Sequence, residues 1–336
     1  MMMKNKINIG GEQTEHGVFL APMAGFSDRA MRRICRDMGA EYSVTEMISA
    51  KAVTFGDKKT YSLARIKADE GPVGLQIFGS EPDVMARATE ILSAHDWGEG
   101  YVRPNAIDIN MGCPVAKIFN NGEGSALMRS PELIREITAA VKANTDLPVT
   151  VKIRAGVDPN HINAVECALA AEDGGASLIT VHGRTRAQMY SGTVDRDIIK
   201  KVKENVHIPV VANGDILTAD DAMLMLSYTG ADGIAIGRGA VGNPFLFREI
   251  ISAMRGEEYS PPTIREKTEI ALLQLRLAIE DKGEKMAVPE ARKQIALYLR
   301  SFRGAAAIRA EINRALTYSE VEHILLEALE REDNDD

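Results

Sequence analysis

The sequence predicts an α/β fold, a (β/α)8 TIM barrel, followed by an all-helical bundle domain. Three observations carry this. Eight runs of strand length recur between Val18 and Ile236; helical patterns fall between them; and from Thr263 onward the apolar spacing is three and four throughout. At 336 residues the chain is long for one ordinary domain, whereas a barrel takes about 250. The expected division is a barrel with an N-terminal hairpin over residues 1–254, a polar linker over 255–262 containing Pro261-Pro262, and a helical domain over 263–336.

Near the N-terminus, KINIGGEQTEHGVFLAPMAG reads as a short strand, a Gly10-Gly11 turn and a second strand, Val18–Met23. Ser27-Asp28 then caps a helix over 29–38 that stops at Gly39. Further strands are expected at 42–48, 73–78, 106–110, 149–154, 178–182, 210–213 and 233–236. Helices are expected at 82–93, 131–144, 162–173, 195–204, 219–227 and 245–254, several opened by Ser, Asp or Thr and several closed by Gly. The segment 94–104 is longer and more Gly-rich than its connection needs, and reads as a surface excursion carrying Trp97.

A hydrophobic share of 45% and a charged share of 26% suit a globular protein with a full core, which excludes disordered and fibrous classes. No apolar run approaches the roughly 20 residues of a membrane span, and the N-terminus lacks the apolar centre of a secretory signal. Cys35, Cys113 and Cys167 are odd in number and form no CxxC pair, which fits a reducing cytoplasm and argues against a structural metal. A net charge of −8 confines any nucleic-acid site to a local basic patch. A cytoplasmic monomer without metal or membrane is expected.

The chain is organised around AIDINMGCPVAKIFNNGEGSAL, residues 106–127. Ile107 and Ile109 alternate with Asp108 and Asn110, and Pro114 removes the donor that would continue the strand. Cys113 thus sits just past a strand's C-terminal end, where chemistry collects in parallel α/β folds. A thiol there is a candidate acid or nucleophile with Asn110 as an orienting amide, and equally a small buried hydrophobe.

The loops after the seventh and eighth strands, Asn213-Gly214-Asp215 and Gly237-Arg238-Gly239, offer Gly-rich backbone donors, an Arg and the start of a short helix. Barrels bind phosphate with such loops, so a phosphorylated ligand is implied. Residues 237–242 also match GxGxxG, but they close the last unit instead of opening the first, against a Rossmann site. Lys152, near the end of its strand, is a cation for a flavin ring, a Schiff-base lysine, or the partner of Asp108. His182 and Gln76 end their strands as ligand donors or satisfied core groups. Pro22, Met23 and Ala24 offer backbone and a thioether to a flat ring. Arg292, Lys293, Arg300, Arg303, Arg309 and Arg314 share a stretch with Glu311 as its only acid, interleaved with Tyr298 and Phe302. That face could grip a folded RNA or be simply solvated, and Arg184 and Arg186 would extend it toward Cys113.

Together these residues resemble the tRNA-dihydrouridine synthase (Dus) family, and within it the bacterial B-type (DusB-like) subgroup. The match runs through APMAGFSDRAMRR, TEM, LQIFGS, DINMGCP, GSALM, VKIR, HGRTR, NGDI, IGRGAVGNPFLFREI, ARKQIALYLR and INRA. DINMGCP followed by VKIR and HGRTR is very specific. The resemblance implies tightly bound FMN and a tRNA substrate, one D-loop uridine of which is reduced to 5,6-dihydrouridine with NADPH. It further implies hydride transfer from reduced flavin to uracil C6 and protonation of C5 by Cys113. Pro22, Met23 and Ala24 would line the flavin; Gln76 and Lys152 would meet its ring edge, with His182 near it; Asn213, Gly214, Asp215, Gly237 and Arg238 would hold its phosphate. Asn110, Lys117, Arg184, Arg186, Arg292, Lys293, Arg300 and Arg303 are the expected uracil and tRNA contacts. Two features depart from the family: the 96–104 excursion, and the single Lys117 where the family often carries several lysines. Competing readings are an FMN barrel oxidoreductase for a small molecule, a Schiff-base lyase using Lys152, and a non-catalytic RNA-binding barrel.

Overall fold

In a computed structural model, which describes residues 6–333, eight parallel strands close into a barrel. In chain order they are β1 (Val18–Leu20), β2 (Tyr42–Val44), β3 (Val73–Phe78), β4 (Ala106–Asn110), β5 (Val149–Asp158), β6 (Leu178–Thr185), β7 (Val210–Asn213) and β8 (Gly233–Ile236). β8 pairs with β1 through Ile234 and Val18, which closes the ring, and β5 pairs with β6. The outermost residues of the two expected domains, 1–5 and 334–336, lie outside the described residues.

Side chains alternate along each strand, so one set faces the surrounding helices and the other the barrel axis. Ile107, Ile109, Val149, Val151, Ile179 and Val181 join the helices in the main core. Phe19, Tyr42, Val44, Ala106, Leu178 and Val211 fill the lower barrel together with Ile7 and Ile9. Those two isoleucines come from a hairpin of Asn8–Ile9 with Glu12–Gln13. Its turn residues Gly10 and Gly11 have φ of +62° and +86°, the pair of positive values a two-residue type I′ hairpin requires. A Cβ on Gly10 would lie 2.2 Å from the Asn105 carbonyl oxygen, so the hairpin seats tightly on the end of the barrel where the strands begin.

Several boundaries differ from expectation for local reasons. β2 stops at Val44 because the Thr45 hydroxyl accepts the Gln76 N–H, and pairing with β3 resumes only at Ile48–Ser49. Two short helices unseen in the sequence follow, Ala50–Thr54 and Lys58–Ala64, capped by Ser49 and Asp57. β5 runs on to Asp158 and turns back antiparallel at His161–Ile162, so Ile162 is strand and the helix begins at Ala164. The 94–104 segment runs over the surface as expected, with most of its residues exposed, but its tryptophan does not. Trp97 is only 9% exposed and belongs to the main core, with the His95 ring edge-on at 4.5 Å and Tyr61 4.8 Å from His95. Tyr61 lies on one of the unforeseen helices, which is why this stacking had no signal in the local sequence.

Beyond residues 256–263, which carry neither helix nor strand, come helices Ile264–Lys282, Glu284–Tyr298, Ala305–Ile312 and Tyr318–Asp333. They share an apolar core of Ala271, Leu275, Val288, Ile295 and Leu325 that Phe245 joins from the barrel side. A Cβ on Gly242 would lie 2.4 Å from Leu297 Cβ, so the second of these helices sits directly against the segment leaving β8.

Helix Arg29–Asp37 is anchored by a buried ion pair. Glu70, 2% exposed, accepts from Arg32 Nε at 2.7 Å, and Arg32 is equally buried. Removing one partner of such a pair strands the other charge, at a cost of about 3–5 kcal/mol. Glu70→Ala is expected to lower unfolding free energy by that amount in a denaturant titration, far more than Glu132→Ala, whose exposed pair with Arg135 is screened by solvent.

Candidate active site

A cavity of about 700 Å³ opens where the barrel strands end. Its floor follows from the alternation that fills the lower barrel. Asn110 is paired with Lys152, Lys152 with Thr180, Arg154 with His182, and His182 with Asn213, so neighbouring strands raise polar groups at one level. Pro22, Met23 and Ala24 after β1, Cys113 after β4, Gly214 and Asp215 after β7, and Gly237 and Arg238 after β8 complete the wall, joined by Arg300 from the helical region.

Beneath the floor a chain of hydrogen bonds runs from a carboxylate to the thiol loop. Asp108 accepts from the Thr150 hydroxyl and from Gln76 Nε2 at 2.7 Å. Gln76 Oε1 accepts from Asn110 Nδ2 at 2.9 Å, and Asn110 Oδ1 accepts the backbone N–H of Cys113 at 2.8 Å. Ser125 donates its hydroxyl to the Cys113 carbonyl at 2.7 Å, and Arg154 Nε donates to the Gly112 carbonyl at 2.8 Å. Gly124, with φ +60°, packs so close that a Cβ would lie 2.9 Å from Cys113 Cβ. Cys113 is therefore held from both sides.

Burial raises the Cys113 thiol above its ordinary pKa, against the Val115 N–H and the charges of Arg154 and Lys152. Burial also pulls the Lys152 amine down to about 7, with Arg154 adding to the shift and Asp108 and Cys113 opposing it. Asp108 is pushed up to about 6 by burial, opposed by its bonds to Thr150 and Gln76. His182 is driven far down by burial and by Lys152, Arg154, Arg184 and Arg238, so its imidazole is neutral. The expected pairing of Lys152 with Asp108 is not a contact: Lys152 Nζ donates to Asn213 Oδ1 at 3.1 Å.

At the opposite wall, a Cβ on Gly237 would meet nothing nearer than Met23 Sδ at 3.5 Å, which leaves a backbone cradle. Gly214 adopts φ +124°, beside His182. Asp215, at φ +51°, has its carboxylate committed to Arg184 Nη2 at 2.7 Å and the Val194 N–H at 2.9 Å, so only its backbone is free for an anion. Arg238 is half exposed and lies 4.8 Å from the Tyr190 ring.

Not every expected contact reaches this surface. Arg184 is 2% exposed, bound to the Ser191 and Gly192 carbonyls and to Asp215; it ties two loops together and extends no patch. The Arg186 guanidinium stacks on Phe119 at 4.1 Å. Arg292 donates to the Ala315 carbonyl, and Tyr298 and Phe302 are core residues. The aromatics expected among the cations face inward: Tyr298 lies on the buried side of its helix, and Phe302, in the turn beyond it, packs into the same core. Lys117, Arg300 and Arg303 are exposed, and Lys293 is exposed with its Nζ 4.3 Å from the Phe26 ring. Sequence reasoning passed over Arg154, Met47 and Tyr190, all of which line the cavity. Arg154 was findable, two residues past Lys152 on the same strand face; Tyr190 had no local signal.

Among the described residues no group of three or more His, Cys, Asp or Glu could hold a metal ion, and no helix is long and apolar enough to cross a membrane. In fold the chain is similar to histamine dehydrogenase from Rhizobium sp. 4-9, at 14% identity and a TM-score of 0.54, covering 82% of this chain and 51% of that one. It is 40% identical over 318 residues to tRNA-dihydrouridine synthase B of Shewanella oneidensis, covering 94% of this chain and 95% of the relative. It is equally 40% identical over 326 residues to tRNA-dihydrouridine synthase B of Proteus vulgaris, covering 96% and 97%. A family model described as dihydrouridine synthase (Dus) matches residues 19–334. With relatives at this identity over nearly its whole length, the chain belongs to the dihydrouridine synthase family.

Proposed function

We propose that this chain is an FMN-dependent tRNA-dihydrouridine synthase that reduces one D-loop uridine to 5,6-dihydrouridine with NADPH, acting as a cytoplasmic monomer. The carrying observation is a single cavity that faces a protonated thiol and a buried amine at one wall and an Arg-bearing glycine cradle at the other. The residues fit FMN. About 700 Å³ is within the range of cofactor pockets, the Gly237 cradle with Arg238 suits a phosphate, and Pro22, Met23 and Ala24 suit a flat ring. The division of the chain into a barrel over 1–254 and a tRNA-binding helical domain over 263–336 belongs to the same reading.

When bound and reduced, the flavin supplies the hydride for uracil C6. Cys113 supplies the proton for C5. Its raised pKa keeps the proton on sulfur at neutral pH, and the Val115 N–H, Arg154 and Lys152 stabilise the thiolate left behind. The Asp108, Gln76, Asn110 chain fixes the loop that carries the thiol. Lys152, held on Asn213, presents a cation to developing negative charge, and neutral His182 offers a hydrogen bond without adding charge.

Mapping dihydrouridine by mass spectrometry, on tRNA from cells lacking this gene and from cells with it restored, tests the reading. Loss at one D-loop position with rescue by wild type is expected; no change at any position would support the small-molecule oxidoreductase instead. Cys113→Ala should cut turnover about 10²- to 10⁴-fold, the usual share of a general acid, while flavin content and tRNA affinity stay near wild type. Because the Cys113 pKa is raised, its alkylation by iodoacetamide should go on accelerating with pH beyond about 8.5, where an ordinary thiol levels off.

Lys152 gives a pH prediction with a definite sign. Its folded value of about 7 lies below the unfolded value of about 10.4, so between them the unfolded chain holds more protons. The stability of flavin-free protein should therefore rise with pH across that window. An anionic ligand raises the amine's pKa, so FMN binding near pH 8 should take up protons. Calorimetry in buffers of different ionisation enthalpy reads this uptake, which Lys152→Met should largely remove.

A further inference from the structure

Resting on the dihydrouridine synthase reading, we infer that Phe55 and the lysines around it form a stacking platform for an unpaired base of the tRNA, a few nucleotides from the target uridine. At 78% exposure Phe55 is the most exposed large hydrophobic side chain among the described residues. It is also rigidly presented. Its N–H bonds the Lys51 carbonyl, the Gly56 N–H bonds the Val53 carbonyl, and the Asp57 N–H bonds the Ala52 carbonyl. Gly56 turns the chain at φ +71°, and the Asp57 carboxylate is taken by the Thr60 N–H and hydroxyl. An aromatic ring held out on a tight junction between two helices loses little freedom when something stacks on it.

The platform lies on the side of the barrel where the cavity opens. Ile48–Ser49 pairs with Ile77 and Phe78, just past Gln76, and helix Ala50–Thr54 starts immediately afterward. Met47 lines the cavity itself, and the path from it to Phe55 is three extended and five helical steps, at most about 18 Å. The Lys51 charge acts on Glu123, the residue before the Gly124 that packs on Cys113. The surroundings select a polyanion. Residues 51–67 hold Lys51, Lys58, Lys59, Arg65 and Lys67 against Asp57, five positive charges to one negative, in a chain whose net charge is −8. Lys51, Lys58 and Lys59 are all exposed. An exposed ring set among lysines is how sequence-tolerant sites hold unpaired bases while binding the backbone. Reducing a uracil inside the cavity requires that nucleotide to leave its stack, and in a single-stranded loop the bases beside it are unpaired and within reach of Phe55.

Phe55→Ala, assayed as flavin-loaded protein on tRNA that lacks dihydrouridine, is expected to raise KM for tRNA roughly 5- to 100-fold. The kcat, flavin content and melting temperature should be unchanged. Phe55→Trp should keep the wild-type KM, and its emission should be quenched on tRNA addition, against the buried Trp97 of the parent as control. Lys58→Ala combined with Lys59→Ala should lower the slope of log affinity against log salt by about 1–2. A wild-type KM in Phe55→Ala, with no quenching in Phe55→Trp, would overturn the inference, as would a self-association of the chain that Phe55→Ala abolishes. If wild-type protein forms no dihydrouridine at all, the functional reading itself fails; if it does and Phe55→Ala matches it, only the platform fails.

Discussion

The site depends on one constraint: polar side chains pointing into a closed barrel have almost no water to bind and must bind one another. Asp108 is the root of this arrangement. A carboxylate that deep is stable only because Thr150 and Gln76 donate to it, and once Gln76 is oriented by Asp108 its carbonyl must accept from Asn110. Asn110 is then left with an oxygen that takes the Cys113 N–H. The position of the Cys113 thiol thus follows, bond by bond, from the need to satisfy a buried carboxylate three residues before the loop begins.

The same low-polarity surroundings set the charge states above the floor. Lys152, Arg154, Arg184 and Arg238 crowd one rim: after burial, Arg154 makes Lys152 harder to protonate, Arg184 and Arg238 do the same to Arg154, and all four do so to His182. Such a concentration of positive charge in a chain of net −8 favours an anionic ligand in this cavity. Asp215 is the single carboxylate on that wall: its Oδ2 is taken by Arg184 and a backbone N–H, and its Oδ1 lies 3.7 Å from Arg238 Nη2, a loose pair that leaves the half-exposed guanidinium at the cavity edge.

The helical region is not an appendage to this site. Arg300 lines the cavity, Lys293 lies over Phe26, and Lys282 donates to Asp28 at 2.7 Å, where Asp28 caps the helix after the Pro22–Ala24 corner. The corner that would face a flavin is thereby held between the barrel and the helices, and Phe245 shares the helical core. The basic residues of the helices proposed to meet tRNA and the cavity proposed for the chemistry are therefore mechanically close.

Much of this was legible in the chain. Strand count, barrel class, the thiol at a strand end and the two glycine-rich loops at the barrel mouth follow from period-two alternation and from Gly placement, which are local properties. Relationships between strands were not legible. That Lys152 would bind Asn213 and not Asp108 depends on which strands become neighbours and on their register. That Arg184 would be buried depends on two loops closing over it, and that Tyr298 and Phe302 would turn inward depends on how four helices pack. The burial of Trp97 was missed for the same reason, since the His95 ring it meets edge-on is backed by Tyr61 from a helix more than thirty residues earlier. Sequence alone determined which chemical groups arrive at the barrel mouth, because alternation and turn chemistry are set by neighbours in the chain. Only the tertiary structure decided which groups bind one another and which remain free for a ligand, because burial and hydrogen-bond satisfaction are settled between segments distant in sequence.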